Sequence, residues 1–421
     1  MKLLVFAHTP PPHHGQSFMV QLMLEGLGGD CRKRRRDGDG GSRARRLPET
    51  DGIECYHVNA RLSRHLEDIG DLRIGKFILL IWYCLQAIWC RFRYGVTNFY
   101  YIPAPGKRSA LYRDWLVMLL CRPFFRRFIL HWHASGLGKW LETMVQIRTR
   151  SITYNLAKNA DLSIVLSNYG RGDADKLFPR NVAVVGNGIP DPCPDFARAV
   201  LPRRRARLEA RRLLSVGKPL PPEIAAGAGT DPHVFRVLFM AHCTRDKGLF
   251  DAVEGAVLAH RKLAEQGSPL FLKLVVAGQF LHGDEEAEFH RLCATLGQEV
   301  VEYVGFVSGE NKQQLLENSD AFCFPSHLES FGLVLAEAMA FGLPIVTTRC
   351  GAVPEVMTPE HPGLVEVRAP AQIAKALLRL TDDESFEALR QRFESHFTIE
   401  QHLFRLARAL RTVADSGSTK G

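Results

Sequence analysis

One stretch, residues 322–355 (FCFPSHLESFGLVLAEAMAFGLPIVTTRCGAVPE), constrains the fold of this 421-residue chain more tightly than any other. Ala321 to Pro325 is a short apolar run bounded by Asp320 and Pro325, which reads as a buried parallel strand. Residues 331–341 are apolar on most sides, as a helix packed between a sheet and a cleft should be. Ser330 is placed to cap that helix, and Gly342 followed by Pro344 to stop it. Such a strand–loop–helix unit sets the helix N-terminus at the carboxyl edge of a parallel sheet. That edge is where open α/β sheets bind ligands.

Two carboxylates, Glu329 and Glu337, lie eight positions apart around the turn Ser330-Phe331-Gly332-Leu333. By spacing alone they are ordinary solvated helix charges. Their setting is apolar, however, and an unpaired charge there is costly, so a ligand or partner is required. Gly332 lets a phosphate approach the backbone, where the Gly332 and Leu333 N–H groups can donate to it. Glu337, on the second turn, reaches a neighbouring diol, and Glu329 lies beside whatever the distal phosphate carries. The layout suits a diphosphate with a sugar on one side and a ribose on the other.

Together with Pro325, Ala338-Met339-Ala340, Gly342, Pro344, Gly351 and Glu355, this run resembles the donor-site signature of family 4 retaining glycosyltransferases. The resemblance implies that Glu337 holds ribose hydroxyls and Glu329 contacts the donor sugar near its reacting centre. Ser330, Phe331, Gly332 and Leu333 would form the turn that binds the diphosphate. Val304-Gly305-Phe306-Val307 resembles the segment framing the nucleobase, which gives Phe306 a donor-binding role. Residues 237–253 (VLFMAHCTRDKGLFDAV) resemble the close of the first strand of the nucleotide domain, where Lys247-Gly248 opens a helix. A cation and a helix N-terminus could converge there on one diphosphate. The family usually carries arginine five residues before this lysine. Here the position is His242, and Arg245 is the candidate substitute.

The first half alternates strands and helices. Residues 1–15 (MKLLVFAHTPPPHHG) read as a strand and loop rather than a signal peptide, followed by a helix over 17–27. Gly15 matches a family glycine near the donor phosphates. A strand over 98–102, a helix over 109–121 and a strand over 127–132 follow, with the last ending in His131-Trp132-His133. A histidine after this strand is a family feature near the donor sugar, and His133 matches it best. Residues 161–167 and 184–191 read as the last strands of the first domain. Near the C-terminus, a strand over 363–367 and helices over 370–381, 383–395 and 398–414 complete the alternation, with 416–421 as a disordered tail.

The resemblance therefore implies an α/β, GT-B architecture of two Rossmann-like domains facing across a cleft. Residues 1–197 would form the acceptor domain, 198–233 a basic linker or insertion, and 234–395 the nucleotide-sugar domain. Residues 396–421 would contribute a terminal helix crossing back. The implied reaction moves a sugar from a nucleoside diphosphate to an acceptor hydroxyl with retention, as in cell-surface polysaccharide or glycolipid synthesis. Glu329, His133 and Lys247 would be catalytic. No cofactor beyond the nucleotide-sugar co-substrate is expected, and no metal, since no Asp-x-Asp pair accompanies these motifs. The acceptor would be a glycan or a lipid-linked one, and the location cytoplasmic, with the inner membrane face a candidate surface. The alternatives are a weakly catalytic GT-B scaffold or membrane-associated assembly subunit, and a sugar-nucleotide epimerase or phosphorylase of the same architecture.

Composition is that of a globular protein, with 46% hydrophobic and 24% charged residues and a net charge of +9. Its ten cysteines form neither a CxxC pair nor a Cys/His cluster, which points to reduced thiols rather than zinc or disulfides. The basic runs at 32–46 and after Arg198 lack the aromatic context of nucleic-acid binding, and no such partner is expected. Exposure or attraction to an anionic membrane fits them better. Phe77 to Cys90 (FILLIWYCLQAIWC) is too short to span a bilayer; it reads as a buried helix of the first domain, with an interfacial helix as the alternative.

Overall fold

The computed structural model describes residues 1–11, 15–33, 47–62, 74–103 and 105–415. Most of the expected exposed run at 32–46, and the tail 416–421, lie outside them. The chain forms two compact units: residues 1–188 with the segment from Ile399 onward, and Ile189–Thr398.

Six parallel strands form the sheet of the first unit: β1 (Lys2–Ala7), β2 (Glu54–Asn59), β3 (Asn98–Tyr101), β4 (Arg127–Trp132), β5 (Leu162–Val165) and β6 (Val182–Val184). Their order is β2-β1-β3-β4-β5-β6. Strand β1 is apolar without alternation because both of its faces are covered. Leu4 and Phe6 enter a core with Tyr56 and Phe99. Leu3 and Val5 enter another with Leu406 and Leu410 of the helix Ile399–Asp415. That last helix packs closely on Gly26, where a Cβ would stand 2.2 Å from Leu403 Cδ1. The last strand lies at 182–184 rather than 184–191; Asn187 and Gly188 already belong to the segment leaving the unit.

The apolar stretch expected at 77–90 is a longer helix, Ile74–Tyr94, and it is buried on one side only. Leu80, Cys84, Ala87 and Cys90 join the core. Phe77, Ile78, Trp82, Leu85, Trp89 and Phe92 are exposed. The buried-helix expectation therefore holds for one face, because the sheet offers it only one surface to pack on.

The second unit holds β7 (Val234–Met240), β8 (Phe271–Ala277), β9 (Val301–Gly305), β10 (Ala321–Phe324), β11 (Ile345–Thr348) and β12 (Leu364–Val365). These strands are parallel in the order β12-β11-β10-β7-β8-β9. Connections run outward in opposite directions from the neighbouring strands β7 and β10. The segments that follow these two strands thus flank a topological switch point, the crevice in which doubly wound sheets bind ligands.

The basic stretch after Arg198 is not a linker. It forms the helix Leu201–Ser215 within the second unit, and three of its arginines are buried. Arg204 donates to the carbonyls of Phe341 (2.7 Å), Ser319 (2.7 Å) and Leu316 (2.9 Å). Arg207 donates to the Glu317 carbonyl at 2.7 Å. Arg211 pairs with Asp320 at 2.9 Å and stacks over Phe235. These guanidinium groups satisfy carbonyls at the C-terminal ends of the helices Gly309–Asn318 and Leu333–Ala340, where cations also complement the helix dipole. Three of the charges that sequence reading assigned to a membrane surface are thus spent inside the unit.

Asp320 also accepts the Arg236 N–H at 2.9 Å, so it is the anion on which this cluster depends. Asp320→Ala should lower the unfolding free energy by about 3–5 kcal/mol, because it strands buried guanidinium groups; urea denaturation checks this. Acid should weaken the first unit. Burial pushes the His402 imidazole, whose Nδ1–H donates to the Gly186 carbonyl at 2.8 Å, down to about 4. His57 and His131 are lowered by burial as well. A histidine held neutral when folded but free to protonate when unfolded contributes its full stability above about pH 6.5 and loses it as pH falls toward 4. Thermal midpoints should therefore fall between pH 6.5 and 4, and His402→Gln should flatten that slope by up to about 3 kcal/mol.

Candidate functional site

The loops after β7 and β10 meet through glycine. Gly248 has φ +76°, and a Cβ there would lie 2.0 Å from the Pro325 carbonyl oxygen. Only a glycine permits that contact, which sets the Thr244–Gly248 turn directly against the end of β10. Further bonds fasten the two loops: the His327 N–H donates to the Asp246 carbonyl at 2.8 Å, and the Ser326 hydroxyl donates to the same carbonyl at 3.2 Å. The His327 ring meets Asp251 at 2.8 Å.

Across this junction Lys247 Nζ donates to Glu329 Oε2 at 2.7 Å. The ammonium also lies 5.7 Å from the Phe324 ring centroid. The backbone of Glu329 is pinned from the other side. Its carbonyl accepts the Ala352 N–H at 3.0 Å, and Gly351, with φ +54°, comes so close that a Cβ would stand 2.0 Å from that oxygen. Gly351 thus shares the role of Gly248: each lacks a side chain, so that its backbone can touch the segment that follows β10.

The helix begins at Leu333, with Gly332 as its N-cap at φ +86°. Ser330 and Phe331 precede that cap, so the expected Ser330 cap is displaced by two residues. Glycine reaches the left-handed conformation needed here without a side-chain cap. Phe331 is buried, with its ring edge-on to Phe397. On the second turn, Glu337 Oε1 accepts from Lys312 Nζ at 2.6 Å. Its other oxygen, Oε2, is buried with no hydrogen-bond partner among the described residues. Phe306 follows β9 directly and is 72% exposed.

Arg245 is engaged elsewhere. Its guanidinium bonds Glu288 at 2.5 Å, its N–H donates to Glu285 at 2.7 Å, and it covers the Phe250 ring at 4.4 Å. The Glu288 hydrogen bond raises its pKa further. His242, where the family usually has arginine, has its pKa lowered by partial desolvation and by the Lys247 charge. The second unit thus brings together Lys247, Glu329, Gly332, Leu333 and Glu337, while Arg245 faces the Glu285–Glu288 side.

Gly15 and His133 belong to the first unit. Gly15 opens the helix Gly15–Gly26 after β1. His133 follows β4 with its ring 4.2 Å from that of His131. His131 is buried, and the Tyr100 hydroxyl meets its Nδ1. Sequence reading missed Lys312, which sits among polar residues on the helix Gly309–Asn318 where a lysine is unremarked. It also missed the Asp251–His327 pair, whose partners are 76 positions apart.

Two parallel, doubly wound units, one with cation–carboxylate pairs at its switch point, define the class: the GT-B glycosyltransferase fold. The Anabaena protein HepE, solved with UDP and glucose, is similar to this chain at TM-score 0.61 and 17% identity, covering 98% of this chain and 100% of HepE. Residues 223–396 match the family model of glycosyl transferases group 1. An amylovoran biosynthesis glycosyltransferase of Erwinia amylovora is 29% identical over 379 residues, 83% of this chain and 85% of the relative. An uncharacterized glycosyltransferase of Methanocaldococcus jannaschii is 34% identical over 152 residues. The match spans only 36% of that relative's length.

Gly351→Ala should push the Glu329 backbone off its seat, since both the left-handed φ and the 2.0 Å approach oppose a Cβ. The expected cost is roughly 2–4 kcal/mol in urea denaturation.

Proposed function

We propose that this chain transfers a sugar from a nucleoside diphosphate to an acceptor hydroxyl with retention at the anomeric carbon, without a catalytic metal. The observation that carries this reading is Glu337. One of its oxygens is held by Lys312, and the other, on the second turn of the helix Leu333–Ala340, is buried and has no hydrogen-bond partner among the described residues. A carboxylate fixed in this way is an acceptor waiting for a donor such as a ribose hydroxyl. The turn at Gly332 and Leu333 offers its N–H groups to the diphosphate, with the dipole of the helix behind them. Lys247 neutralises charge growing on the leaving diphosphate, and Glu329, once released by that lysine, positions the sugar beside its reacting carbon. Phe306 offers a flat apolar face to the base. The acceptor class proposed is a glycan or lipid-linked saccharide, in cell-surface polysaccharide synthesis on the cytoplasmic side.

A second reading, a sugar-nucleotide-binding scaffold with little turnover, is favoured by the cations around the site. His242 is kept toward its neutral form, and Arg245 is committed to Glu288. Lys247 would then be the main cation for the phosphates.

Calorimetric titration with UDP, GDP and ADP separates these outcomes. The expected result is saturable binding of one nucleotide, weakened about tenfold or more in Glu337→Ala, as befits loss of hydrogen bonds to a charged acceptor. Binding by none of the three from folded protein defeats the donor site. Binding without turnover of any sugar derivative of the bound nucleotide selects the scaffold.

A further inference from the structure

The helix Ile74–Tyr94 leaves one face unpartnered. Phe77, Ile78, Trp82, Leu85, Trp89 and Phe92 are each more than half exposed, with Phe92 at 69%. They lie on one arc of the helix, opposite Leu80, Cys84, Ala87 and Cys90, which are in the core. Phe92 continues the patch onto Phe124, itself exposed, with ring centroids 6.1 Å apart. The six side chains expose on the order of 800 Å² of surface, above the few hundred Å² that a monomeric soluble protein ordinarily leaves open.

The sequence from the helix onward is rich in bases, although Glu67, Asp68 and Asp71 precede it and Glu142 follows the basic stretch. From residue 74 to 141 the chain carries ten lysines and arginines and one carboxylate, Asp114. That carboxylate is buried, accepting from the Tyr101 hydroxyl at 2.6 Å and from Arg113 at 2.9 Å. Lys76 lies at one end of the helix; Arg93 lies at the other, with Arg126 on the segment beyond. A second copy of this chain fits the face poorly, because a two-fold contact would set the cationic surroundings against themselves. An anionic surface with an apolar interior fits both features, and tryptophan is the side chain suited to the boundary between them.

We propose that this helix face docks the first unit onto an anionic lipid bilayer, lying in the plane of the interface. Among the described residues one helix, Gly75–Tyr94, is long and apolar enough to cross a membrane. A crossing would extract Leu80, Cys84, Ala87 and Cys90 from the core they share with β1, β2 and β3, so the helix stays on the sheet and offers only its outer face. Trp82 and Trp89 enter the headgroup–acyl boundary, and Arg93 and Arg126 remain among the phosphates. This inference is independent of the donor site.

The test uses the full chain, sedimented with vesicles of phosphatidylcholine alone or with about 30 mol % phosphatidylglycerol. The expected result is binding to the anionic vesicles, weakened by salt. Trp82→Ser with Trp89→Ser should reduce it about tenfold or more, and Arg93→Glu with Arg126→Glu should reduce it on anionic vesicles alone. Circular dichroism and thermal midpoints establish that each variant is folded. The proposal is overturned if folded wild-type protein binds neither vesicle, or if the variants bind as wild type does. It is equally overturned if the tryptophan variant instead dissolves a concentration-dependent dimer of a protein that ignores lipid.

Discussion

The second unit turns on an approach of two backbones that a single methyl group would prevent. Gly248 touches the end of β10, and because it does, Lys247 arrives within hydrogen-bond distance of Glu329. Gly351 does the same from the opposite side, so the glutamate is held at its backbone by one loop and at its carboxylate by another. These contacts convert a generic parallel sheet into a shaped edge. They stand at the point where the strand order reverses, so the crevice and its polar lining have one origin. Each cation there meets a carboxylate, Lys247 with Glu329 and Lys312 with Glu337. The pairing spares two partly buried acids from standing alone. It also means that any further anion would have to compete for a lysine already engaged.

How much of this could be read in the sequence depended on the range of the interaction. Glu329 and Glu337 were legible because charge inside an apolar run is locally anomalous. The parallel strands were legible as apolar runs without alternation, and Gly342 with Pro344 as a stop. The cap was misplaced, because a glycine in the left-handed region ends a turn without the polar side chain that Ser330 offered. Lys312 left no trace, since a lysine in a polar helix is ordinary until its partner, 25 positions away, is known.

The arginine run shows the same limit more sharply. Its local pattern, bases without aromatic neighbours, resembles a solvated or surface-seeking segment. What decides its fate is a set of carbonyls more than 100 positions further along the chain, left open where two other helices end. The apolar helix at 74–94 is the converse case: its composition called for burial, and the sheet had room for only half of it. In both segments, composition described the side chains correctly and misjudged which surfaces would be left to receive them.

The helix Ile399–Asp415 completes the core under β1, yet it is the last described element of the chain. The polypeptide leaves the first unit at Gly188 and re-enters it at Ile399, and the two crossings are tied where the Ile189 N–H donates to the Phe397 carbonyl at 2.9 Å. On a ribosome the order of synthesis is therefore not the order of completion. The second unit has all of its residues while the first still lacks part of its interior, and the core of Leu3, Val5, Val20 and Met23 waits for the part of its cover made some 400 residues later. At roughly 5–20 residues per second that interval is tens of seconds, in which a nascent chain shows an apolar sheet face to chaperones.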